Sequence, residues 1–216
     1  MIEDNRHDEE LDDSSDDLGF DQEAGISPRD KGVLEAIQHE GFSVFTFHGL
    51  RRLLGIHQET LSRTLDRLED EGFVEKVADG YRVTAEGEHL PHQLSLEAPA
   101  IPLVQTLLPP DVNIDHLVSG LKGHWFGKLR WMGYSTSDEG TVLKWITDEE
   151  GIQVDARFTD NVLTIEARLA DGMDRSHAIN ASYQLLSHIS RLYNPPPKRG
   201  KNLITSVVYH PGLGFA

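Results

Sequence analysis

The stretch from Gly49 to Glu75, GLRRLLGIHQETLSRTLDRLEDEGFVE, decides how this chain is read. After Gly55, the leucines Leu61, Leu65 and Leu68 recur at i, i+4 and i+7, the spacing of one helical stripe, while Arg63, Asp66, Arg67 and Asp70 point away from it. A helix docked by one face is therefore expected over about 58–71. The shorter segment before it carries Leu50, Leu53 and Leu54 inward and Arg51 and Arg52 outward. Gly55 adopts a left-handed conformation at little cost and so ends that first helix. The expectation is helix, turn, helix.

Working outward, SPRDKGVLEAIQH (Ser27 to His39) has a serine cap and a proline at the first helical position, with Val33, Leu34 and Ile37 on its buried edge. FSVFTF (Phe42 to Phe47) is β-branched and aromatic, which predicts a short extended segment before the second helix. Downstream, FVEKVA and YRVT flank Asp79-Gly80, a dipeptide that tolerates the positive φ angles of a tight hairpin turn. Three helices followed at once by a hairpin make a winged helix, with Lys76 and Arg82 placed to meet a DNA backbone.

The run Gly55-Ile56, Thr60-Leu61-Ser62-Arg63, Leu65, Arg67-Leu68-Glu69, Gly72-Phe73-Val74, then Gly80-Tyr81-Arg82-Val83-Thr84 and Gly87, resembles winged-helix regulators of the MarR and ArsR type, especially archaeal ones. The resemblance covers roughly residues 28–93 and implies transcription-factor activity. It makes the helix from about Gln58 to Glu71 the reader of the major groove. Gln58, Thr60, Ser62 and Arg63 then lie in its base-reading half, with Arg63 the first choice for a bidentate contact to guanine. Arg51, Arg52, Arg67, Lys76 and Arg82 are the backbone candidates.

Two features depart from that pattern. His57 stands where a serine, threonine or aspartate usually caps the reader helix, so a less firmly held start is expected. Projection at about 100° per residue also places Glu59, Asp66 and Asp70 with Arg63 on the outer face. Carboxylates there would repel phosphates, and Arg63 lies within reach of local ion pairs with Glu59 and Asp66. An adaptor that binds another protein in transcription or chromosome machinery is thus the alternative to a DNA reader.

The formal net charge of −16 on 216 residues also looks unfavourable for nucleic acid, but most of it is local. Residues 1–27 hold 11 acidic residues and one basic residue, residues 28–93 hold 12 and 8, and residues 94–216 hold 13 and 11. The first segment is too charged and too poor in apolar residues to offset its ordering entropy, and a disordered acidic tail over 1–26 is expected. Cysteine is absent, which excludes disulfides, thiolate metal sites and a cysteine nucleophile. No signal pattern and no apolar run of ~20 residues is present, so a soluble cytoplasmic protein without membrane contact is expected. His89 and His92 form an H-x-x-H interrupted by Pro91 with no third ligand nearby, and no metal or other cofactor is assigned. Phosphate-binding, dinucleotide, nucleophile-elbow and zincin motifs are lacking, so no catalytic residue is named and an enzyme is not expected.

Beyond the hairpin, a second domain is read over 97–216. IPLVQTLLPP is a strand or a linker, VNIDHLVSGLKG a helix, and GKLRWMGY, TVLKWI, IQVDARF and VLTIEARL four strands joined by short turns. In the last two, Ile152, Val154, Ala156 and Phe158, and Leu163, Ile165, Ala167 and Leu169, face one side. Gln153, Asp155, Arg157, Thr164, Glu166 and Arg168 face the other, so one dry and one wet face are expected. The helix DRSHAINASYQLLSHISRLY would cover the dry face through Ile179, Tyr183, Leu186, Ile189 and Tyr193. Trp125, Trp131, Trp145, Phe126 and Tyr134 concentrate here, as core packing, a dimer interface or a ligand pocket. Lys198, Arg199 and Lys201 form a dense basic cluster beside three prolines, before a last strand LITSVVYH.

The expected fold is therefore α+β: a winged helix-turn-helix domain over 27–96, then a domain with a four-stranded antiparallel sheet and flanking helices. The expected function is regulation of transcription by binding double-stranded DNA as a homodimer, with a small-molecule effector possible for the second domain.

Overall fold

The computed structural model describes residues 26–89, 100–148, 151–169 and 172–194. Residues 1–25 of the acidic tail expected over 1–26, His92, the basic cluster at 198–201 and the expected last strand lie outside those residues.

Helix α1 spans Pro28–His39; the Ser27 hydroxyl caps it by accepting from the Asp30 N–H. Strand β1 is only Val44–Phe45, and Thr46 then caps helix α2, Phe47–Leu54, by accepting from the Gly49 N–H. Gly55, at φ 63°, ends α2, and helix α3 runs over Gln58–Asp70. Leu61, Leu65 and Leu68 are buried as their spacing requires. Strands β2 (Val74–Val77) and β3 (Gly80–Val83) form the hairpin, and the short helix α4 covers Ala85–His89.

The remaining described residues form β4 (Ile101–Leu107), α5 (Ile114–Leu121), β5 (Leu129–Ser137), β6 (Gly140–Thr147), β7 (Gln153–Thr159), β8 (Val162–Arg168) and α6 (Arg175–Tyr193). The segment read as a strand or a linker is thus strand β4, and it pairs with β8.

The expected arrangement, a helix-rich unit followed by a separate four-stranded sheet, is corrected by the strand pairing. The described residues build one eight-stranded antiparallel sheet, in the order β2-β3-β1-β5-β6-β7-β8-β4, with six helices. Strand β1 is the seam. Val44 pairs with Arg82 on one side and Tyr134 on the other, and Phe45 with Tyr81 and Gly133. The Ser43 and Thr46 N–H groups donate to the Tyr134 and Met132 carbonyls at 2.9 and 2.7 Å. A two-residue strand with both edges paired leaves no open ladder between the halves, and this favours fusion over two separate sheets.

Two apolar clusters lie along this sheet. One is built on α5, α6 and the strands β5 to β8, and includes Trp131, Trp145, Phe126 and Phe158. The other gathers α1, α2, α3 and the hairpin, but it also takes Met132 from β5 and Ile146 from β6. Successive β5 residues point to opposite faces, so Trp131 enters one cluster and Met132 the other.

Two side-chain expectations are also corrected. In α6 the buried stripe is Ala178, Ala181, Ser182, Leu185 and Ile189, whereas Ile179 and Tyr183 are 42% and 40% exposed. Small residues let the helix lie close on the sheet, and this turns the bulkier side chains outward. The expected wet face of β7 is not wet at Gln153 and Asp155, which are 4% and 3% exposed. There the C-cap residue of α1, Glu40, covers the sheet and accepts from Lys144 Nζ at 3.0 Å and Gln153 Nε2 at 2.8 Å. Lys144 and Arg168 also reach Asp155, at 3.4 and 3.3 Å. Two carboxylates and two cations thus share one pocket of the interior, satisfying the pairing that buried charge requires.

Candidate functional site

The nine residues singled out from the sequence fall into three groups by where the fold places them. Around the α2–α3 turn, Arg51 donates to the Gln58 side chain at 3.4 Å, and Thr60 and Ser62 sit half-buried on the first turns of α3. Arg63 is 70% exposed and pairs with Glu59 one turn earlier at 2.5 Å. His57 caps α3 after all: its Nδ1 accepts from the Glu59 N–H at 3.3 Å, in place of a hydroxyl or carboxylate. Beside this turn, Arg29, Gly32, Leu54, Ile56, His57 and Thr60 line a shallow groove of about 420 Å³.

The second group is on the hairpin. Lys76 is exposed on β2, and Arg82 on β3 reaches across to its register partner Glu75 at 3.0 Å.

The third group is tied to other elements of the protein, Arg52 half-buried and Arg67 still about half exposed. Arg67 makes a two-pronged bond to the buried Asp30, at 2.8 and 2.6 Å, tying α3 to the first turn of α1. That guanidinium hydrogen bond, against the opposing effect of burial, lowers the Asp30 pKa from 3.8 to about 2. Arg52 turns toward the other half of the chain, bonding Asp148 at 2.7 Å and the His48 carbonyl at 3.2 Å.

The outer surface of α3 is mixed in sign: Gln58, Glu59, Arg63, Asp66, Glu69 and Asp70 are all exposed. The Glu59–Arg63 pair is the local ion pair that the sequence allowed as an alternative to a base contact. With both partners in water, however, such a pair contributes only ~0.5 kcal/mol and yields readily to a phosphate or a base edge.

A second concavity, of about 600 Å³, lies between α2, the hairpin turn and the end of α5, and it joins aromatic residues and Arg52, singled out in the sequence, to Lys122, which was not. Trp125, Trp131 and Tyr134 supply its aromatic walls, and Arg52, Lys122 and Asp79 its charges. Trp125 is 59% exposed, yet held: Arg130 lies 4.7 Å and Arg52 5.9 Å from its ring centroid, and both arginines bond the same Asp148 carboxylate. Lys122 Nζ sits 3.5 Å from the centre of the Tyr134 ring and has no carboxylate partner among the described residues. The tryptophan cluster signalled the region in the sequence; Lys122, Asp148 and Arg130 gave no signal, because their spacing has no periodicity.

Among the described residues no group of three or more histidine, aspartate or glutamate side chains converges as metal ligands would, and no helix is long and apolar enough to cross a membrane. No curated protein and no solved structure matches the chain. Residues 25–95, which carry α1 to α4 and the hairpin, match the family model of the HVO_A0261 N-terminal domain.

Proposed function

We propose that the protein is a regulator of transcription that reads duplex DNA through a winged helix-turn-helix formed by α1 to α3 and the hairpin. The observation that carries this reading is the α2–Gly55–α3 turn. It leaves Gln58 and Arg63 exposed and Thr60 and Ser62 half-buried on the N-terminal half of α3, beside a hairpin that carries Lys76. In this reading Arg63 and Gln58 address base edges, and Arg51 and Lys76 address phosphates. Arg82 contributes once released from Glu75. Arg52 and Arg67 hold the reader in place from behind. Two copies bind together, as dyad-related half-sites require. Nothing in the proposal calls on catalysis or a resident metal.

The test is selection from random duplex DNA by the full chain, run beside Arg63→Ala at two salt concentrations. The expected result is an enriched palindromic motif, relaxed at one position per half-site in the variant, with affinity falling steeply as salt rises. The exposed Glu59, Asp66, Glu69 and Asp70 favour a second reading, an adaptor whose α3 meets a basic protein surface. Absence of any enriched sequence at low salt selects that reading over the first.

A further inference from the structure

We infer that the concavity between α2, the hairpin turn and α5 is a binding site for a small planar aromatic molecule bearing one negative charge. The inference is independent of whether α3 reads DNA.

Three features specify the ligand. The first is a fixed aromatic wall. An exposed tryptophan on a loop would ordinarily swing freely, but Trp125 lies against Arg52 and Arg130, whose guanidinium groups are themselves anchored on the shared Asp148 at 2.7 and 2.6 Å. The ring is thus pre-positioned, and the cost of ordering it on binding is small. The second is the floor. Trp131 is 6% exposed, stacks edge-on against Trp145 with ring centroids 5.2 Å apart, and belongs to the packed core, so it cannot move aside. Two indoles and the Tyr134 phenol favour a flat π system over a bulky aliphatic one.

The third feature is charge. Arg52 and Arg130 share the Asp148 carboxylate, whereas Lys122 is met only by the face of Tyr134 among the described residues. A cation held over a ring inside a concavity keeps most of its field for a further anion. Asp79, at the hairpin turn, is the carboxylate among the lining residues, and it disfavours a second negative charge on the ligand. Thr46, His48 and Ser119 complete the polar lining. The volume of about 600 Å³ accommodates one or two fused rings with a carboxylate.

The experiment is calorimetric titration of the full chain with three probes: 2-naphthoate, its neutral isostere 2-naphthylmethanol, and the non-aromatic cyclohexanecarboxylate. 2-Naphthoate is expected to bind about tenfold or more tightly than either of the others, since each lacks one of the two recognised features. Lys122→Met should weaken 2-naphthoate by about tenfold and leave the neutral probe unchanged, and Lys122→Arg should restore binding. Thermal melting of each variant establishes that it is folded, and Trp125→Leu gives a second, charge-independent loss. Equal binding of the neutral and charged probes, no heat from 2-naphthoate at millimolar concentration, or wild-type affinity in a folded Lys122→Met variant would each overturn the assignment.

Discussion

Arg63 and Arg67 lie one turn apart on α3, yet their surroundings assign them opposite work. Arg63 pairs with Glu59 in water, with side chains 70% and 65% exposed. Arg67 pairs with Asp30, whose side chain is 4% exposed. Removing Arg63 therefore costs ~0.5 kcal/mol or less, whereas removing Arg67 strands a buried carboxylate. The pH dependence follows. The folded-state pKa of Asp30 is depressed to about 2, below its ordinary 3.8. Its contribution is thus fully present above pH 4 and is lost as the pH falls through about 2. At about 1.4 kcal/mol per pKa unit, the contribution is roughly 2 kcal/mol. Denaturant titrations at pH 7 should show Asp30→Asn less stable than wild type by about that amount, with the difference closing near pH 2. Arg67→Ala should fall with it, and Arg63→Ala should not. An equal effect of the two arginine variants on stability would refute the division of labour. The sequence made both arginines visible as outward-facing cations, but not which of them is met by Asp30, because that pairing is set by how α1 crosses α3.

At the scale of elements, what was legible followed from local periodicity and turn chemistry. The leucine stripe of α3 and the left-handed Gly55 each act over a few residues and produced the expected element; the hairpin formed too, but with its turn at Ala78-Asp79, one residue earlier than expected, and with Gly80 paired to Val77 as the first residue of β3. Failures came where a long-range surface chose the face: α6 turned toward the sheet through Ala178, Ala181 and Ser182 because close approach outweighed side-chain bulk. The β1 seam was visible as an extended segment, but its second partner, β5, lies about 90 residues later. Glycine marks both sides of that seam. Gly80 has φ 138°, and a Cβ there would run into the Phe45 carbonyl oxygen. A Cβ at Gly133 would meet the Val44 carbonyl oxygen and the Phe45 Cα, where a bulge shifts the β5 register. Backbone atoms cannot yield as a flexible side chain can, so Gly133→Ala must separate β1 from β5. A loss of about 3 kcal/mol is expected, the upper range for overpacking. Hydrogen exchange should show accelerated loss of the Ser43 and Thr46 amides, which donate across the seam. Unchanged protection at those two amides would mean that the seam tolerates the methyl group.

Across the whole molecule, the same sheet makes the two halves depend on each other. Met132 and Ile146 complete the apolar cluster around α3. Glu40, at the end of α1, is the acceptor on which Lys144, Gln153 and Arg168 converge. Burial alone would raise the Glu40 pKa, but the attraction of Lys144, the Gln153 hydrogen bond and Arg168 outweigh it, and the carboxyl titrates below its usual range. Glu40 therefore stays charged at neutral pH, and each member of the network keeps the others from being unpaired. Lys144→Met leaves Glu40 and Asp155 with Arg168 as their one shared cation among the described residues, beside the Gln153 amide, a change that costs about 3–5 kcal/mol when a buried pair loses one partner. Tryptophan fluorescence follows one half alone, since all three tryptophans lie beyond residue 124, whereas the helical signal comes from both halves, α1 to α3 in one and α5 and α6 in the other. If the network and the seam join the halves into one cooperative unit, tryptophan fluorescence and far-ultraviolet circular dichroism give coincident unfolding curves in the wild type. Both should then move together, and by the same amount, in Lys144→Met. A variant in which the fluorescence transition moves while the helical signal splits into two transitions, one following the fluorescence and one staying, would show that the halves unfold independently, and that Glu40 merely rests on the sheet.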